Sequence, residues 1–134
     1  MYGILTDMTS EEKKAYLLLK SVIFHYHGLD DVERADLQAT ADELDGHKEL
    51  EWANAFIAED YFNSFERARE YLDGVVGDYP KDKRVMFIET VWQANNLKGY
   101  VTELEATAML KFARDWNVEQ ELIEILKNQS KGSS

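Results

Sequence analysis

A chain of 134 residues with 45% hydrophobic content is sized for one packed domain that buries roughly two thirds of its unfolded surface. Its net charge of −11 repels phosphate backbones and anionic membrane surfaces, so nucleic acid and membranes are excluded as partners and a basic protein segment is favoured. The absence of cysteine removes disulfides, thiolate catalysis and cysteine-based zinc sites, and the lack of a basic leader or a long apolar run predicts a cytoplasmic protein.

Hydrophobic spacing is helical along the whole chain, and no segment alternates as a strand would. Thr9 and Glu12 form a T-x-x-E capping box ahead of EKKAYLLLKSVIFHYH, with Gly28 as the stop. Asp30 with Glu33 opens a second helix through ADLQATADEL, closed near Gly46. A third covers KELEWANAFIAED, and Asn63 with Glu66 starts a fourth, FERAREYLDGVV, which stops by Gly77. Pro80 stands where a first-turn proline belongs, ahead of a fifth helix through KRVMFIETVWQAN. Thr102 with Glu105 caps a sixth, ELEATAMLKFARDW, and Asn117 separates it from a seventh, EQELIEILK. The ordered core is expected over about 9–128, with a polar, frayed tail at 129–134.

The first and fifth helices are apolar nearly all round, which predicts that both are buried. Each is followed by the same grammar: a glycine, a short apolar link, a cap with an acid three residues on, and an amphipathic helix. An offset of 72 lays Leu37 on Met109, Leu44 on Trp116 and Glu33 on Glu105. The expected architecture is an all-α, single-domain bundle of about seven helices over 1–134, with two buried central helices and a weak internal duplication.

Chemistry is sparse. In ANNLKGYVTELE, residues 94–105, Gly99 and Glu105 occupy the sixth and twelfth places of a calcium loop. Ala94 and Lys98, however, stand where oxygen ligands belong, so the stretch is read as a turn between capped helices. HYHGLDD gathers His25, His27, Asp30 and Asp31, residue types that suit a transition metal. His25 and His27 point roughly 200° apart on a helix and cannot share one ion. Acid runs supply Asp42, Glu43, Asp45, Glu59 and Asp60, which read as a solvated face, with a hydrolase built on paired carboxylates as a third reading. Tyr61, Phe62, Phe65 and Tyr71 are expected in the core rather than in a docking patch. No nucleophile elbow and no phosphate-cradling glycine loop occurs.

The unit helix, D-G-x-hydrophobic-[S/T]-x-x-E, helix resembles the TerB-like family, the all-helical tellurite-resistance-associated domain, related to the N-terminal domain of a DnaJ-type co-chaperone. KGYVTELE at 98–105 follows that pattern except at Lys98, and HGLDDVE at 27–33 echoes it. The resemblance spans most of the chain. It implies a compact helical bundle that is not an enzyme and serves as an interaction module in stress responses, its protein partner unspecified. It also implies metal binding through acidic loops, of whose positions Glu105 and its counterpart Glu33 are present here; His27 with Asp30 or Asp31 across the turn, read from the residues themselves, completes the divalent-metal alternative.

Overall fold

The computed structural model describes residues 8–26, 31–95 and 103–132. Among these are seven α-helices, one short 3-10 turn and no strand: α1 (Ser10–Tyr26), α2 (Asp31–Leu44), α3 (His47–Glu59), the 3-10 turn Tyr61–Asn63, α4 (Ser64–Val76), α5 (Lys81–Asn95), α6 (Glu103–Asp115) and α7 (Glu119–Gly132). The all-α class is as expected. The helices group into two compact units, 1–72 and 73–134, with the boundary inside α4.

In the first unit α1, α2 and α3 each pack on the other two. Every residue of α1 from 15 to 24 is buried, Lys20 and Ser21 included. The capping box forms as predicted: Glu12 N donates to Thr9 Oγ1 at 3.2 Å, and Thr9 N donates to Glu12 Oε1 at 3.0 Å. Two otherwise orphaned amides are thereby satisfied at the start of the core helix. From α2, Leu37, Ala41 and Leu44 face inward, met by Leu50, Ala53 and Ile57 of α3.

The second unit repeats this plan with α5, α6 and α7, again each on the other two. Helix α5 buries Phe87, Ile88 and Trp92 along one face and exposes Glu89 and Gln93. The offset of 72 holds at buried positions: Leu37 and Met109, Ala41 and Ala113, Leu44 and Trp116, Leu50 and Leu122. It holds at the turns too. Gly46 N donates to Ala41 O and Asp45 N to Asp42 O; Val118 N donates to Ala113 O and Asn117 N to Arg114 O. Each set is a Schellman stop, and the left-handed residues are Asp45 (φ 53°) and Asn117 (φ 57°). Gly46 is therefore not the left-handed residue. Its φ is −120°, and a Cβ there would lie 3.3 Å from Leu17 Cδ1.

Three expectations change in detail. Pro80 stands immediately before α5, its carbonyl accepting from Lys83 N and Arg84 N. At the start of α4, Asn63 donates its side-chain amide to Asp60 and Glu66 pairs with Arg69. Helix α7 extends beyond the EQELIEILK segment into the polar tail, as far as Gly132. The proposed stops at Gly28 and Gly99 and the cap at Thr102 lie outside the described residues.

Candidate functional site

The first unit carries a groove of about 380 Å3 between α1, α2 and α3. Arg34, Leu37 and Gln38 fall at i, i+3 and i+4 on one face of α2. Leu50, Asn54, Ile57 and Ala58 line one face of α3, and Tyr61 extends that row into the 3-10 turn. His25, near the end of α1, closes one side. Leu37, Leu50 and Ile57 are buried and form the floor. A second hollow of about 230 Å3, lined by Val22, His25, Tyr61, Phe62, Ser64 and Phe65, adjoins it across a ridge made by His25 and Tyr61. These two rings meet edge to face with centroids 6.1 Å apart, and the Tyr61 hydroxyl donates to the His25 carbonyl at 3.4 Å.

Burial holds the His25 pKa below the ordinary imidazole value, and the Arg34 guanidinium lowers it further. His25 is thus neutral at pH 7, and Arg34 is the charged group of the groove lining. No lining residue is acidic. Tyr61, which lines both hollows, is 53% exposed, and Phe62, in the second hollow alone, is 97% exposed. That corrects the expectation that these aromatics pack in the core; of the group, Tyr71 does pack, with its ring 5.2 Å from that of Trp52.

A second polar cluster lies buried between α1 and α2. Lys20 Nζ is 2.6 Å from Asp36 Oδ2 and donates to Thr40 Oγ1 at 2.8 Å, while Thr40 Oγ1 donates to the Asp36 carbonyl. The ammonium also stands 5.7 Å from the Tyr16 ring centroid. This set is an ion pair that ties two helices together. In sequence Lys20 reads as the one solvent-facing residue of an apolar run, which is why the cluster escapes notice there.

Of the metal candidates, Asp31 is exposed on α2 whereas Glu33, two residues on, is buried, so the two do not converge. His27 and Asp30 lie outside the described residues, as does most of the calcium-loop stretch; Glu105 lies on α6. Among the described residues no group of three or more metal-ligating side chains comes together. Of the five acids considered for paired-carboxylate chemistry, three are engaged separately, Asp42 with His47, Glu59 with Arg67 and Asp60 with Asn63, and Glu43 and Asp45 are exposed. No described helix is long and apolar enough to cross a membrane. No family model matches the chain, and no curated protein or solved structure does so either.

Of the groove residues, sequence reasoning singled out only His25, as a metal candidate, Leu37, in the repeat, and Tyr61, as a core aromatic, and none of them as part of a groove. The available signal was the i, i+4, i+7 row Leu50, Asn54, Ile57, in which an amide interrupts an otherwise apolar face.

Proposed function

We propose that the chain is a non-enzymatic, cytoplasmic interaction module of the TerB-like kind, with a tellurite-resistance-like role in stress responses, and that it captures a protein segment in the groove of its first unit. The observation that carries this reading is the pairing of an apolar floor, Leu37, Leu50 and Ile57, with the exposed lining ring of Tyr61 and, in the adjoining hollow, the almost wholly exposed Phe62. A phenyl ring held in water is costly to leave there, and aromatic anchors beside a concave apolar surface are what protein recognition uses. The chain's net charge of −11 favours a partner whose segment is flanked by basic residues.

The reading is tested by placing a photo-crosslinking residue at Asn54 and, separately, at the exposed Lys127. A partner recovered from position 54 and not from 127, whose purified segment binds the Phe62→Ser variant at least tenfold more weakly than the parent, is the expected result. Equal recovery from both positions, or unchanged affinity in Phe62→Ser, overturns the docking reading.

A further inference from the structure

We infer that the groove receives the free C-terminus of a partner chain, its terminal carboxylate on Arg34 and its apolar last side chain on the floor of Leu37, Leu50 and Ile57. The inference rests on the docking reading above and adds the chemistry of the occupant.

The chain carries 26 acidic residues against 15 lysines and arginines, yet the groove lining contains no Asp or Glu. Arg34 makes no ion pair among the described residues, although Asp31 lies one turn before it on α2. A guanidinium with no ion pair among the described residues, at the edge of an apolar hollow, is complementary to a carboxylate, which it can hold through two parallel hydrogen bonds. Gln38 and Asn54, on the α2 and α3 walls, each offer a donor and an acceptor, matching the main-chain amide and carbonyl of an entering segment.

Size restricts the occupant further. About 380 Å3 falls near the small end of ligand pockets, suiting a terminal residue and its carboxylate rather than a helix. Outside the lining, Asp31 on α2 and Glu51 on α3 are exposed and carry the opposite charge. A basic stretch preceding the terminus would meet those acids while the carboxylate meets Arg34. The local lining and the overall acidity thus select one kind of segment: basic, then apolar, then a free carboxylate.

The test uses the full chain and a short synthetic peptide in which two lysines precede Gly-Leu-Phe, prepared once as the free acid and once as the C-terminal amide. Amide shifts in two-dimensional NMR locate binding, and titration gives affinity. The free acid should move the amides of Leu37, Leu50 and Ile57 and bind roughly tenfold tighter than the amide form. Arg34→Gln, a change at an exposed helix position, should abolish that difference without altering the melting temperature. Equal binding of acid and amide at the groove overturns the carboxylate assignment while leaving the docking reading in place. No shift at the groove with either peptide overturns both. Octanoate binding as tightly as the peptide acid would assign the site to free aliphatic carboxylates and overturn the chain-terminus assignment.

Discussion

Asp45 and Asn117, 72 positions apart, both hold the left-handed conformation that ends a helix, at φ 53° and 57°. Both are exposed, so their backbone strain is not entangled with side-chain packing. Aspartate and asparagine tolerate this region better than most residues, and glycine tolerates it without penalty. Replacing Asn117 with Ala should cost about 1 kcal/mol, whereas Asn117→Gly should be at least as stable as the parent. The same order should appear at Asp45. Urea titration measures it, and an alanine variant as stable as the parent would refute the assignment.

The Lys20–Asp36 pair should respond asymmetrically. Asp36→Ala strands an ammonium whose side chain is 5% exposed, and should cost about 3 kcal/mol. Lys20→Met leaves a carboxylate that is 24% exposed and can turn to water, so its cost should stay below about 1.5 kcal/mol. Combining the two should recover most of the loss, since the uncompensated charge disappears. Equal costs for the two single variants would show that the pair does not act as a buried ion pair.

Thr9 should behave as a cap. Its hydroxyl accepts from Glu12 N, so Thr9→Ala should lower stability by about 1 kcal/mol and Thr9→Ser should restore most of it. Chemical denaturation of the three proteins decides the point; an alanine variant equal to the parent would remove the cap from the account of α1.

Acid should destabilise the protein in two steps. His25 has a folded pKa below its unfolded value, through burial and then Arg34, with the Tyr61 ring as its other neighbour. The unfolded chain therefore takes up this proton first, so the contribution is intact above about pH 6.5 and is lost as pH falls below it. Glu49 and Glu121 are lowered as well, chiefly by hydrogen bonds from Ser10 and Lys81 respectively. Their contribution is present above the ordinary carboxylate value and is lost as pH falls through the folded one. Melting temperatures from pH 8 to 3 should decline first near pH 6.5 and again near pH 4. In His25→Gln the first decline should vanish, and its persistence would place the proton elsewhere.

How far the sequence carries can be judged residue by residue. Thr9 and Glu12 were legible because a capping box is a local device whose partners lie three residues apart. The repeat was legible because burial imposes the same residue class at the same helical phase, as at Leu37 and Met109. The repeat runs further than the apolar pattern, however: Glu49 and Glu121 are also equivalent, each bound from the start of the first helix of its own unit. Asp45 was hidden by its neighbour, since Gly46 looks like the left-handed residue but serves close packing against Leu17. Lys20 was hidden because polarity within an apolar run reads as exposure, and only Asp36 and Thr40, a helix away, say otherwise. The groove was least legible of all, since its residues come from three helices and a turn.

The places of Asp36 and Thr40 are taken in the second unit by Ala108 and Phe112, both buried. Two copies of one plan in a single chain invite mispairing while the chain folds, with the first helix of one copy docking on the second helix of the other. Here such an exchange would set the Lys20 ammonium against an alanine and a phenylalanine. A buried ion pair adds little to the correct assembly compared with an apolar contact of equal size, whereas stranding its ammonium in the wrong one costs about 3 kcal/mol.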